Sequence, residues 1–124
     1  MIKKKVLIVD DEVALARMIR LNLEDTDKFE VRTESQGKLA LSAALEFKPD
    51  IILLDVMIPD LMGSKIAELI SACDELKSIP VVFLTAIVKE SDLAHRGGTI
   101  SGYPCLAKPI SAEKLIKFIE KVLG

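Results

Sequence analysis

Three acids stand in an unbroken row in "KVLIVDDE", where Asp10, Asp11 and Glu12 follow the apolar run Val6 to Val9. Like charges a few Å apart repel by a few kcal/mol at an intermediate effective dielectric. A helix N-terminus, a basic side chain or a metal ion must offset that repulsion. Further along, Asp55 follows "IILL", Thr85 follows "PVVFL" and Lys108 follows "CLA". The three carboxylates of Asp10, Asp11 and Asp55 suit a hard divalent cation such as magnesium, which takes few protein oxygens and keeps several waters. A hydroxyl and an ammonium suit an incoming phosphoryl group. These residue types together point to phosphoryl chemistry around a cation, provided that one fold gathers them.

The elements around them supply that gathering. Residues 6–9, 29–33, 51–54, 80–84 and the segment around 105–107 read as strands, and those before Asp10, Asp55 and Thr85 are continuously apolar, as strands buried on both faces are. Helical spacing joins Leu15, Met18, Ile19 and Leu23; Ala40, Ala43, Ala44 and Phe47; Ile66, Leu69, Ile70 and Cys73; and Leu115, Phe118, Ile119 and Val122. Pro49 closes the second helix, and Ser111 caps the last with Glu113 in its first turn. The fourth crossover carries a short helix over 89–95 and then a Gly/Ser/Thr-rich loop. Alternating strands and helices predict an α/β fold, a doubly wound five-stranded parallel sheet with helices on both faces. Ligands in such sheets sit beyond the carboxyl ends of the strands, where Asp10, Asp11, Asp55, Thr85 and Lys108 lie.

The chain has 124 residues, enough for one domain, 1–124, with a core of its own. No apolar run approaches the 18 or so residues of a membrane span. The basic-then-apolar start resembles a signal peptide, but its apolar part is too short and no small-residue cleavage site follows. A cytoplasmic protein without a membrane partner is the expectation. Cys73 and Cys105 read as free thiols of a reducing compartment. The net charge of -2 argues against direct nucleic-acid binding. The sole histidine, His95, reads as a solvated loop residue.

Four motifs, "IVDDE" (8–12), "LLDVMIPDLMG" (53–63), "PVVFLTA" (80–86) and "AKP" (107–109), stand in the order and close to the spacing of a known family. On them the chain resembles a response regulator receiver domain, the CheY-like family of two-component signalling. The resemblance implies the flavodoxin-like strand order 2-1-3-4-5. It implies that Asp55 accepts a phosphoryl group from a histidine kinase, a phosphotransfer protein or a small phosphodonor. Asp11, Asp55 and the backbone carbonyl of Met57 would hold Mg2+, with Asp10 helping through water. Thr85 would bond a phosphoryl oxygen and Lys108 would pair with its charge. Pro59 and Gly63 match the turn after the acceptor, and a cis Lys108–Pro109 bond is implied. Phosphorylation and its hydrolysis would be the chain's own Mg2+-dependent chemistry, without turnover of an external substrate, and would switch a surface read by a downstream effector or output domain. Met57 and Ile87, both apolar, would flank the acceptor and slow the loss of phosphate.

Each residue alone has a plainer reading. Asp11 could cap the first helix with Glu12 beside it, Asp55 could open the turn before Pro59, Thr85 could be an ordinary strand threonine, and Lys108 a solvated edge charge. Their joint placement at neighbouring strand ends favours the ligand reading. Two rivals differ in kind. A phosphorylation-independent interaction module is opposed by the intact acid set, and a haloacid-dehalogenase-type phosphatase wants D-x-D where "DDE" offers Asp10 and Glu12. The sequence departs from the family pattern at Cys105, where an aromatic is usual, with Tyr103 two residues earlier and Pro104 between them. Met62 replaces a common acid before Gly63.

Overall fold

A computed structural model describes residues 2–86, 99–100, 102–108 and 110–124. The chain runs β1 (Lys4–Val9), α1 (Val13–Glu24), β2 (Phe29–Glu34), a 3-10 turn (Gly37–Leu39), α2 (Ala40–Phe47), β3 (Ile51–Asp55), α3 (Gly63–Ser71), β4 (Val81–Thr85), β5 (Thr99–Ile100), β6 (Tyr103–Ala107) and α4 (Ala112–Leu123). The helix expected over 89–95, together with Ile87, His95 and Pro109, lies outside the described residues.

The strands order as β2-β1-β3-β4-β6-β5. The first five of these are parallel neighbours, which is the expected 2-1-3-4-5 order. The expected count of five is corrected by β5, a two-residue strand antiparallel to β6. Two residues in a Gly/Ser/Thr-rich stretch are too few to write a strand pattern.

Strand residues alternate between two cores. Leu7, Val9, Ile52, Leu54, Val81, Phe83 and Cys105 pack with α2 and α3, whereas Val6, Ile8, Ile51, Leu53, Val82 and Leu84 pack with α1 and α4. Both faces are therefore covered, and this is why these runs carry no polar alternation. The helices meet the sheet through the expected stripes with two adjustments. Ala16, Ile19 and Leu23 bury from α1, while Met18 stays 55 % exposed. Cys73 lies past the end of α3, whose buried residues are Gly63, Ile66, Ala67 and Ile70. Lys48 ends α2 in the left-handed conformation, φ 54°, with its N–H on the Ala44 carbonyl, and Pro49 follows. The Ser111 hydroxyl accepts the Lys114 N–H at 3.2 Å, with Glu113 in the first turn of α4, as the sequence predicts.

Pro104 explains the layout of the far edge. It has no N–H to donate, and the β4 ladder begins one residue later, at Phe83 opposite Cys105. On the other side Pro104 faces Thr99 of the two-residue β5, so the proline stands next to the edge. The strand is unbroken there, and Tyr103 and Cys105 share the α2/α3 face. The Tyr103 ring meets Phe83 edge-on, with centroids 5.5 Å apart.

Candidate phosphoacceptor site

The carboxyl ends of β1, β3, β4 and β6 bring the sequence-predicted residues to one rim. Asp10 directly follows β1, Asp55 ends β3, Thr85 ends β4, and Lys108 directly follows β6. The Lys108 N–H donates to the Thr85 carbonyl at 2.7 Å, which carries the β4–β6 pairing one step further and fixes where the lysine begins. Asp10, Asp55 and Thr85 are all at most 5 % exposed.

The three carboxylates converge. Asp10, Asp11 and Asp55 each offer an oxygen, and these oxygens lie within 4.8 Å of one another. Asp11 is the exposed member, and the other two are buried. The Asp10 Oδ1 accepts the Glu12 N–H at 2.9 Å, and Asp55 Oδ1 accepts the Met57 N–H at 3.3 Å. Glu12 precedes α1 without a side-chain cap, so the capping alternative for Asp11 and the acid row is not what the structure displays.

Lys108 supplies the offsetting charge. Its ammonium lies 2.6 Å from Asp10 Oδ2, 3.2 Å from Glu12 Oε1 and 3.5 Å from Asp55 Oδ2. The lysine side chain is only 6 % exposed, so it is no solvated edge charge. Burial pushes its pKa down, but Asp10, Asp55 and Glu12 outweigh burial and raise it, so the ammonium remains charged. The Asp55 pKa also rises, which for a carboxylate disfavours the charged form. Burial first, and then the Asp10 charge, push it up to about 6, against the pull of Lys108 and the Met57 N–H.

One ammonium shared among three acids leaves negative charge in excess. Asp10 Oδ2 is buried and accepts no well-formed hydrogen bond, its partner being the ion pair with Lys108. A set of hard oxygens with one such atom fits a divalent cation. The acid cluster could therefore hold a metal ion.

The turn after Asp55 is tightly fitted. A Cβ on Gly63 would collide with the Asp55 carbonyl oxygen, and the Gly63 N–H donates to the Val56 carbonyl at 2.9 Å. Glycine is needed there for that close approach. The Met57 N–H meets Asp55, and the residue is half-exposed. Two further residues escaped sequence reasoning. In the sequence Glu12 is only part of an acid row, yet it is a counter-ion of Lys108. Asp60, in the turn after Pro59, accepts the N–H groups of both Gly37 and Lys38 at 2.9 Å. A Pro-Asp turn signal marks Asp60 as a loop residue, but nothing local names its distant partners.

The chain is similar to known proteins over nearly all of its length. The family model for the response regulator receiver domain matches residues 6–120. The polar-differentiation response regulator DivK of Brucella anthropi is 34 % identical over 122 residues, covering 98 % of this chain and 97 % of that protein. Among solved structures, the chemotaxis response regulator CheY4 of Vibrio cholerae superposes with a TM-score of 0.82 at 29 % identity, over 98 % of this chain and 99 % of that one. The Francisella response regulator 1452 receiver domain does so with 0.80 at 25 %, over 98 % and 97 %. A parallel sheet that delivers its acids and its lysine to one rim, in a chain aligned to these relatives almost end to end, belongs to the response regulator receiver domain family of two-component phosphorelay signalling.

Proposed function

We propose that Asp55 is the phosphoacceptor, that Asp11, Asp55 and the Met57 carbonyl hold Mg2+ with Asp10 assisting through water, and that Thr85 and Lys108 bind the phosphoryl group. The observation that carries this reading is the approach of three carboxylates to within 4.8 Å beside a buried lysine 3.5 Å from Asp55. A bound Mg2+ would neutralise charge on the phosphoryl oxygens and draw them toward the acceptor.

The residues divide the remaining work. The ionised Asp55 carboxylate attacks phosphorus, a new Asp O–P bond forms, and the donor's bond to phosphorus breaks with its electron pair leaving on the donor. Lys108 already faces Asp55 and offers a fixed positive charge where oxyanion charge collects. The Thr85 hydroxyl, buried at the end of β4, offers a donor from the next strand. The Met57 N–H holds one Asp55 oxygen and so orients the carboxylate. Burial of Asp10 and Asp55 restricts bulk water, which favours a lasting acyl phosphate.

The donor would be a histidine kinase, a phosphotransfer protein or a small phosphodonor, and a downstream effector or output domain would read the result. No helix among the described residues is long and apolar enough to cross a membrane, which accords with action in the cytoplasm. Incubation with acetyl phosphate and Mg2+ tests the proposal. One phosphoryl group is expected on the wild type, and none on Asp55→Asn or in excess chelator. Labelling of Asp55→Asn at the wild-type level would overturn it.

A further inference from the structure

The turn from Val56 to Met62 is held at three places. At its base, the Gly63 N–H donates to the Val56 carbonyl at 2.9 Å. In its middle, Ile58 is buried in the α2/α3 core at 1 % exposure. At its tip, the Asp60 carboxylate accepts two backbone N–H groups, those of Gly37 through Oδ1 and Lys38 through Oδ2, both at 2.9 Å. These donors open the 3-10 turn between β2 and α2, so the tip is bound to an element about 20 residues distant in sequence.

The fit around this clasp is built. A Cβ on Gly37 would come 2.8 Å from the Leu61 carbonyl oxygen and 3.0 Å from Ile66 Cδ1, so the two turns touch backbone to backbone. The two N–H groups hold the Asp60 carboxyl below its usual range although the residue is exposed, which marks the contacts as favouring the ionised form. Among the described residues no hydrogen bond or ion pair joins Asp60 to Asp55, Lys108 or the acid cluster, and the phosphoryl chemistry makes no use of it. Yet it ties down the segment that carries Met57, whose N–H holds Asp55 Oδ1.

We propose that Asp60 is a positioning residue for the phosphoacceptor: its two-point clasp on Gly37 and Lys38 fixes the acceptor's turn, and through it the Met57 backbone that orients Asp55 and completes the cation site. The proposal rests on the reading of Asp55 and its neighbours as a Mg2+-dependent acceptor site. Without the clasp the turn keeps its base and its buried Ile58 but loses its tip, so the chain stays folded while Met57 gains freedom. Outer partners of this kind alter metal affinity by about 10- to 100-fold when they orient a ligand directly, and a contact three residues away should give about three- to tenfold.

The test compares wild type, Asp60→Ala, Asp60→Asn and Gly37→Ala by amide hydrogen exchange and by Mg2+ titration followed through amide shifts. Asp60→Ala should speed exchange at Gly37, Lys38 and Met57 and weaken Mg2+ by about three- to tenfold. Gly37→Ala keeps every charge and should act in the same direction. Asp60→Asn, which keeps one carbonyl acceptor, should fall between wild type and Asp60→Ala, and it serves in place of the alanine variant if that one does not fold. Unchanged Mg2+ affinity in Asp60→Ala and Gly37→Ala would overturn the proposal. So would equal losses in both Asp60 variants with none in Gly37→Ala, because charge alone would then be responsible. If wild type itself bound no Mg2+, the reading of the site would fall, and exchange at Met57 would decide the clasp: no change there on losing Asp60 would overturn it.

Discussion

The Lys108 ammonium lies 2.6 Å from Asp10 Oδ2 and nearly 1 Å farther from Asp55, so Asp10 is its nearest counter-ion. The buried lysine is thus held beside Asp55 by another acid. Removing it would leave two buried carboxylates facing each other. Lys108→Met is expected to lower stability by about 2–4 kcal/mol in the absence of divalent cations. Adding Asp55→Asn to that variant should restore part of the loss, because one of the stranded charges goes with it. Urea unfolding of the two single variants and the double variant measures both effects.

Asp55 itself sets a pH dependence. Its pKa is raised from 3.8 to about 6 in the folded chain, so folding favours its protonated form. The associated stability is present in full below 3.8 and is lost as pH rises through about 6. Cation-free wild type should therefore fall behind Asp55→Asn across that window and trail it by a constant margin above it. The raised pKa bounds the margin at about 3 kcal/mol, and sharing of the effect with Asp10 and Lys108 places it at about 1–3 kcal/mol. Denaturant midpoints of both proteins between pH 4 and 8 check this, on the scale about 4–8 set by the two pKa values. A margin that shrinks with rising pH would contradict it.

Met57 is half-exposed beside Asp55, and its thioether cannot orient an attacking water as an amide could. Phosphorylated protein is expected to lose its phosphoryl group slowly. Met57→Asn should hasten that loss by at least about threefold, because a positioned water needs a hydrogen-bonding partner. Decay of the labelled protein after removal of the phosphodonor gives the rate directly.

At the far edge of the sheet Tyr103 packs edge-on against Phe83, two residues before Thr85 in β4. Tyr103→Ala should cost about 1–3 kcal/mol through lost ring burial and the aromatic contact. Cys105 is buried and too small to swing between two positions as a large aromatic side chain would. Beryllofluoride is therefore expected to shift the amides of residues 103–107 little, with output carried on another surface. Large shifts there that disappear in Tyr103→Ala, while Asp55 still binds the mimic, would contradict this.

The placement of Asp10, Asp55 and Thr85 was legible because strands buried on both faces write continuous apolar runs, and each run ends at one of these residues. The alternation of strands and helices alone puts Asp55 and Lys108 on one rim, since a parallel sheet leaves no other place for strand ends. What the sequence hid were contacts between turns. Glu12 and Lys108 meet from 96 positions apart, and Asp60 binds backbone groups, which carry no side-chain identity to recognise. The apolar pattern of α1 was wider than the face it buries, so Met18 read as core and is exposed. The two-residue β5 was written in too few residues to show a period.

The central claim is that Asp55 carries the phosphoryl group. Borohydride reduces an aspartyl phosphate to homoserine, which peptide mass spectrometry locates residue by residue. After treatment with acetyl phosphate and Mg2+, homoserine is expected at position 55 and nowhere else. Homoserine at Asp10 or Asp11, or labelled protein that yields none at Asp55, would contradict the account.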